Sequence, residues 1–348
     1  MNLVKSIYAK KAFSVLDFGA ERVAAVVAER ESPESFRVLG AGDARAEGVT
    51  AGDITHLGDA VEAVVEAVRK AERSSGVALE TLYYNFDDTE IESVLAEGSR
   101  SLIGEGEIGQ GDIDEARETA ERMAGHYEKN IVYSRAIRFV IDERDIVDNP
   151  IGVFGRHLHV TTHLLQAASA RCQDWQKLMR RAKLDKAVRV VSAWSTAYGV
   201  LSPEERKKRR LIADLGNDLV SVFVFENGRI SAHRVFAPGK AAAGPAAEKT
   251  VSAAETLIAQ HPGVEEALLT GDRAEEPAFL EAFKKMSVPA RVAAPRGVAK
   301  LQFPKYASLA GLLCVAEELE KKTSILHNRR GLLMDVKERA VSFMNEYF

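Results

Sequence analysis

The 348-residue chain has little cysteine (two), tryptophan (two) or proline (ten). Two thiols, Cys172 and Cys314, cannot build a disulfide framework, which argues against a stapled secreted scaffold and for a reducing compartment. Each reads as filler of a helix core rather than as a nucleophile. No apolar run reaches the roughly 20 residues that a membrane span needs. Met1 to Lys11 alternates apolar and basic residues without a hydrophobic centre, so no signal peptide is expected. The reading is a cytoplasmic protein whose membrane contacts, if it has them, are peripheral. An excess of one charge is also missing. Lys and Arg number 47 against 51 Asp and Glu, a net of -4 that gives no ground for nucleic-acid binding. What remains is ordinary for a globular chain long enough to bury a large core in more than one subdomain: 46% hydrophobic and 28% charged residues.

Against that plain background one pattern occurs twice. Ser14-Val15-Leu16-Asp17-Phe18-Gly19 and Leu211-Ile212-Ala213-Asp214-Leu215-Gly216 each run an apolar strand into Asp-x-Gly, and a second apolar strand follows (Val23 to Ala28, Val220 to Phe225). Two such units opening two stretches of similar length predict two similarly built halves. Between them a cleft would place Asp17 opposite Asp214, where a phosphorylated ligand and its Mg²⁺ can sit. This resembles the actin-like plan.

Strands are expected at Ala12–Leu16, Val23–Ala28, Arg37–Ala44, Leu82–Phe86, Glu90–Leu95, Ile131–Ile141, Val188–Ser192, Val220–Phe225, Ile230–Phe236, Ala267–Leu269 and Arg291–Ala293. Helical spacing of Ile54, Leu57, Val61, Val64, Val65 and Val68 predicts an amphipathic helix. Ser101 to Gly111 reads as an exposed loop. It leads to a helix capped by Asp112, with Glu115 in the capping-box position, that ends at Ala124. Further helices are expected over Gln166–Arg181, Thr196–Leu201, Thr250–Gln260, Pro277–Met286 and Tyr306–Lys322. His157, His159 and His163 share one face of an alternating strand, which reads as a solvated face before it reads as a metal site. The Arg206–Arg210 run reads as a solvated loop, with an acidic partner or anionic lipid as the alternative.

The order of elements resembles the FtsA family of bacterial cell-division proteins, actin homologues that tether the FtsZ ring to the membrane. The resemblance rests on Leu16-Asp17-Phe18-Gly19 through Val27, Gly40 to Gly48, Ile108 to Ala120, Ala193 to Leu201, Leu268-Leu269-Thr270-Gly271 and Tyr306 to Leu313. Its most specific part is Asn149-Pro150-Ile151-Gly152-Val153-Phe154-Gly155, followed by the strand with His163. The resemblance implies an α/β, two-lobed actin-like fold of ribonuclease H-like repeats, with an FtsA-type subdomain inserted in the first lobe. The implied division is first-lobe core 1–77, inserted subdomain 78–165, first-lobe core 166–201, second-lobe core 202–237, a reduced outer subdomain 238–264, second-lobe core 265–322, and a linker with a terminal helix at 323–348.

Two departures from the family pattern set the functional expectation. FtsA-like proteins place small and hydroxyl residues after the two aspartates, because backbone N–H groups must approach the phosphates. Here those positions read Gly19-Ala20-Glu21-Arg22, Gly216-Asn217-Asp218-Leu219 and Gly271-Asp272-Arg273. Asp218 and Asp272 put negative charge where phosphates would lie, at a cost on the order of a few kcal/mol. Asp17, Gly19, Asp214, Gly216, Thr270 and Gly271 are therefore expected to be a vestigial nucleotide site. ATP and Mg²⁺ would be cofactors only if that site still works, and no catalytic base is found, so an enzyme is not expected. The second departure is that Pro238 to Val264 is too short for the full outer subdomain that, in the family, receives the FtsZ tail.

Leu332, Val336, Ala340, Phe343 and Tyr347, flanked by Leu333 and Met344, form a narrow stripe on a terminal helix. With the resemblance, the stripe reads as a membrane-binding helix lying in the interface. The expected role is a scaffold that self-associates into filaments at the division site. It would join FtsZ or other division proteins to the cytoplasmic face of the inner membrane. Two alternatives stay open: an actin-like peptide-binding component of an inner-membrane machine such as type IV pilus assembly, and a genuine actin-like ATPase.

Overall fold

A computed structural model describes residues 11–143, 145–238 and 243–321. The first lobe opens with three antiparallel strands, β1 (Ala12–Phe18), β2 (Arg22–Ser32) and β3 (Ser35–Arg45). A small hairpin of β4 (Val49–Thr50) and β5 (Asp53–Ile54) leads to helix α1 (Leu57–Ser75). Ala60, Ala63, Val64, Ala67, Val68 and Ala71 are buried on one face of α1, whereas of the expected apolar positions Ile54 falls in β5 and Val65 is exposed. Gly76 ends it at φ 70°, its N–H reaching the Glu72 carbonyl at 2.8 Å. Strand β6 (Leu82–Phe86) then lies parallel to β1.

An inserted unit follows: β7 (Glu92–Glu107), helix α2 (Gln110–Ala124), β8 (Lys129–Ile141), β9 (Asp145–Val147) and β10 (Phe154–Ala168). Its sheet has the order β7-β10-β8-β9, and α2 packs its Ile113, Ala116 and Ala120 on one face. Helix α3 (Ser169–Arg181), strand β11 (Ala187–Val191) and helix α4 (Ser192–Val200) complete the lobe, whose sheet order is β11-β6-β1-β2-β3.

The second lobe repeats this plan. Strands β12 (Arg210–Leu215), β13 (Val220–Glu226) and β14 (Arg229–Phe236) are antiparallel; helix α5 (Ala243–Gln260) leads to β15 (Ala267–Thr270), parallel to β12. Helix α6 (Pro277–Phe283), strand β16 (Ala290–Val292) and a helix over 307–321, α7, finish it. The order β14-β13-β12-β15-β16 matches the first sheet strand for strand. Helices α4 and α7 cross between the sheets in near-backbone contact: a Cβ on Gly311 would sit 1.7 Å from the Ser195 carbonyl oxygen. Around them one core joins Phe13, Val15 and Tyr83 of the first lobe, Tyr133 and Leu165 of the insert, and Phe223, Phe225 and Leu268 of the second lobe. Each such side chain contributes roughly 1.5–3 kcal/mol of burial free energy.

Several expectations are corrected. Ser101 to Glu107 is not a loop but the far end of β7, because Phe154 and Gly155 of β10 supply pairing partners that the local sequence does not announce. Helix α2 starts earlier, at Gln110. Asp112 sits in its first turn and accepts the Gly109 N–H at 2.9 Å, while Glu115 pairs with Arg100 instead of closing a capping box. Strand β6 falls inside the range 78–165 assigned to the insert, yet it lies between β11 and β1 in the main sheet, so the insert begins after it. Strand β10 runs to Ala168 where helix was expected, and α4 begins at Ser192. In the basic run, Arg206 donates to the Leu201 and Tyr198 carbonyls, Arg209 pairs with Glu226 and Arg210 pairs with Glu265. Most of that charge is structural. The expected helix from Leu332 to Phe348 lies outside the described residues, as does part of the Pro238–Val264 segment, whose described helix is α5.

Candidate functional site

Parallel strands of an α/β sheet carry their ligand sites at the C-terminal ends. Here the ends of β1, β6 and β12 meet across the lobes in a cleft with a cavity of about 130 Å³. Asp17, Gly19, Asp214, Gly216 and Gly271 of the expected set all line it. Thr270 does not: it is fully buried, and its hydroxyl donates to the Pro304 carbonyl at 2.8 Å.

The two aspartates are held crosswise. Thr196 on α4, a first-lobe helix, donates its hydroxyl to Asp214 Oδ2 at 2.7 Å. Ser308 on α7, a second-lobe helix, hydrogen-bonds Asp17. Asn85 of β6 adds a donor to Asp17 Oδ1 at 2.7 Å while its own carbonyl takes the Phe18 N–H at 2.7 Å. Burial pushes the Asp17 carboxyl up to about 7, with the charge of Asp214 adding to it and the Ser308 bond and Arg22 opposing. Burial likewise raises Asp214 to about 6, against the Thr196 bond, and Asp272 adds to the rise. A third acid, Asp87 at the end of β6, lines the same cleft and is raised well above the usual carboxylate range by burial.

Two arginines stand beside the cleft, and of the two Arg22 acts on Asp17. Arg273 turns inward to make two hydrogen bonds to Glu276 at 3.0 and 3.1 Å and packs over the Phe279 ring. Arg22 stacks at the mouth, 4.6 Å from the centre of the Tyr306 ring, with Lys305 on the same ring. Gly271, at φ 92°, brings its backbone so close to Asp214 that a Cβ would lie 2.6 Å from Oδ1. This glycine serves the packing of the second lobe on itself. The opposite wall is the β4–β5 hairpin, whose Gly52 carbonyl accepts the Trp175 Nε1–H at 3.1 Å.

Sequence reasoning missed Asn85, Asp87, Trp175 and Ser308. The first two were legible as acid and amide groups at the end of an apolar strand parallel to β1, a rule that marks ligand ends of sheets. Trp175 carried no such signal. The cavity is smaller than the roughly 300–1,000 Å³ of small-molecule sites, and the carboxyls of Asp17, Asp87, Asp214, Asp218 and Asp272 line it. The three histidines of β10 do not act together. His163 is fully buried and has both nitrogens engaged, Nε2 with Ser93 Oγ at 2.7 Å and Nδ1 with the Ile230 carbonyl at 2.8 Å. His157 meets Ser101 at 3.2 Å on the exposed part of the face. Among the described residues no group of three His, Cys, Asp or Glu is set to hold a metal ion.

A family model described as the SHS2 domain inserted in FtsA matches residues 89–166, the span of the inserted sheet and its helix. Residues 89–166 thus carry an FtsA-type SHS2 domain. The cell division protein FtsA of Neisseria meningitidis serogroup B is 28% identical over 217 residues, 62% of this chain and 52% of that protein. FtsA of Pseudomonas aeruginosa is 24% identical over 225 residues, 65% of this chain and 54% of that protein. The chain thus aligns with about half the length of these curated relatives. Among solved structures it is similar to the PilM–PilN type IV pilus biogenesis complex, with a TM-score of 0.59 at 13% identity, covering 87% of this chain and 98% of that one. At that identity the likeness speaks for the actin-like fold alone, which the two matching sheets and the inserted SHS2-type unit already display.

Proposed function

We propose that this protein is an FtsA-like division scaffold whose nucleotide site is degenerate. It works by self-association and by attachment to the cytoplasmic face of the inner membrane, where it recruits division proteins, FtsZ among the candidates. The observation that carries the reading is the cleft. Two aspartates remain in actin-like positions, but hydroxyls of the opposite lobe hold them, a third carboxyl stands beside them, and Arg273 is committed to Glu276. A like charge beside a triphosphate in a partly buried site costs on the order of several kcal/mol. Such a cleft serves as a joint between lobes better than as a seat for ATP. The division role comes from the FtsA relatives, and the membrane role adds the apolar stripe Leu332, Leu333, Val336, Ala340, Phe343, Met344 and Tyr347. A single helix binds reversibly, so stable attachment needs several copies side by side.

Two measurements test this. Titration calorimetry with Mg-ATP is expected to show no binding tighter than millimolar, and micromolar binding with turnover would make the protein an ATPase. Liposome co-sedimentation of the full chain and of a chain ending before Leu332 is expected to show binding only by the first. Equal binding by both would favour the competing reading, a peptide-gripping actin-like component of an inner-membrane machine.

A further inference from the structure

We infer that the end of the first lobe opposite the cleft docks on an anionic lipid surface. The inference rests on the membrane-scaffold reading above. Helix α3 buries Cys172, Trp175, Leu178 and Met179, which turns Lys177, Arg180 and Arg181 outward. The chain continues through exposed Lys183 and Lys186 into β11. Over 177–186 that is five exposed cations against one acid, Asp185, in a protein whose net charge is -4. Helix α1 packs beside α3, and its last turns add exposed Arg69 and Arg73. None of these seven has an ion-pair partner among the described residues, whereas Arg209 and Arg210 do. The acids near the patch include exposed Asp174, Asp185 and Glu80, together with Glu72 beside Arg73 and Glu66, which pairs with Lys70 and also feels the charge of Arg69.

Cations in a last helical turn are favoured by the helix dipole, which accounts for Arg180 and Arg181 but fades within a turn. It does not account for Lys183. That residue holds the left-handed conformation that ends α3, at φ 63°, and its N–H bonds the Arg180 carbonyl at 3.0 Å while that of Leu184 reaches Met179 at 2.9 Å. Glycine is the favoured residue at such a cap. A lysine there gives up local stability and adds a charge to the patch.

The path of the chain names the occupant. Strands β1, β6 and β11 are parallel, so their first residues share one end. Leu82 donates to the Lys186 carbonyl at 3.5 Å, its neighbour Tyr83 meets Glu320, and Glu320 pairs with Lys11. The described chain therefore starts and stops at the end of the sheet where β6 and β11 begin, the end that also carries Lys186. Segment 1–10, with Lys5 and Lys10, and segment 322–348, with Lys322, Arg329, Arg330 and the apolar stripe, both attach here. An apolar anchor and two basic tails that join the body at a basic end fit one planar anionic partner. Each cation within a Debye length of such a surface multiplies binding by about fivefold.

The test uses the full chain, a variant with Lys177, Arg180, Arg181, Lys183 and Lys186 each changed to Gln, and a chain ending before Leu332. Each is sedimented with phosphatidylcholine vesicles and with vesicles containing phosphatidylserine at several salt concentrations. The full chain is expected to prefer the anionic vesicles by more than tenfold, with the preference falling as salt rises. The Gln variant is expected to lose at least tenfold on anionic vesicles and to match the full chain on neutral ones. Equal binding of the Gln variant and the full chain to anionic vesicles, with the same salt slope, overturns this inference alone. Unchanged binding by the shortened chain overturns the membrane-helix reading instead. Tighter binding of the full chain to duplex DNA than to anionic vesicles overturns the assignment to lipid.

Discussion

Asp17→Asn isolates the electrostatics of the cleft. The carboxyl stands at about 7 in the folded protein, against about 3.9 in an unfolded chain. The folded state therefore binds a proton that the unfolded state has released, and stability falls as pH rises from about 4 through 7. Three units at about 1.4 kcal/mol each set a ceiling of ~4 kcal/mol. Asp17 is only partly buried, so solvent screening cuts this to ~2 kcal/mol at pH 8 and to well under ~1 kcal/mol at pH 4.5, where most of the difference in protonation has gone. Asparagine keeps the acceptor for Asn85 Nδ2 and can donate to Ser308 without the charge. The variant is expected to be more stable than the parent at pH 8, by ~2 kcal/mol in urea denaturation, and to converge with it at pH 4.5. Asp214→Asn should show the same sign with a smaller amplitude, since its carboxyl stands at about 6. Loss of stability at pH 8 in Asp17→Asn would mean that the carboxylate is charged and compensated, and the idea of an uncompensated acidic joint would fall.

Tyr133→Phe removes the hydroxyl that accepts the buried Ile230 N–H at 2.9 Å, and leaving that donor unpaired should cost ~1–3 kcal/mol in the same denaturation assay. Gly271→Ala adds a Cβ 2.6 Å from Asp214 Oδ1 at φ 92°, so a loss of ~2–4 kcal/mol or failure to fold is expected. Lys183→Gly relieves the left-handed strain at the end of α3 and should raise stability by ~0.5–1 kcal/mol, read as a rise in thermal midpoint.

The repeat of two Asp-x-Gly hairpins was enough to expect the two matching sheets, because each half writes its own apolar strands and turn glycines into the sequence. Helix α1 was legible for the same reason: its buried alanines and valines keep a strict period. What sequence could not give were pairings made by distant partners. Ser101 to Glu107 is rich in Gly and Glu and looks like a loop until β10 arrives to bond it. Likewise β6 looked like the start of the insert, since nothing local in Leu82 to Phe86 says that its neighbours will be β1 and β11. At the cleft, Asp17 and Asp214 were found by their Asp-x-Gly signature, whereas Asn85 acts from the neighbouring strand and Ser308 through a hydrogen bond across the lobes. Thr270 failed in the opposite way, its hydroxyl satisfied by the Pro304 carbonyl of its own lobe.

The contacts between lobes fall at two levels, and both are made by protein groups. At the cleft, Thr196 reaches Asp214 and Ser308 reaches Asp17, each across the lobe boundary. Farther out, the insert grips the β13–β14 hairpin. Tyr133 accepts from the Ile230 N–H, His163 meets the Ile230 carbonyl, and Arg229 donates to the Ala136 and Ile137 carbonyls at 3.0 Å each. Arg135 of the same insert pairs with Glu318 of α7, which also accepts from Tyr198 of α4. A backbone group held on both its N–H and its C=O by buried side chains leaves little freedom for rotation at that point. The relative angle of the lobes is thus fixed by hydrogen bonds in the insert as well as at the aspartates, and a change at the cleft must break Tyr133 and His163 from Ile230 before it can become a domain motion.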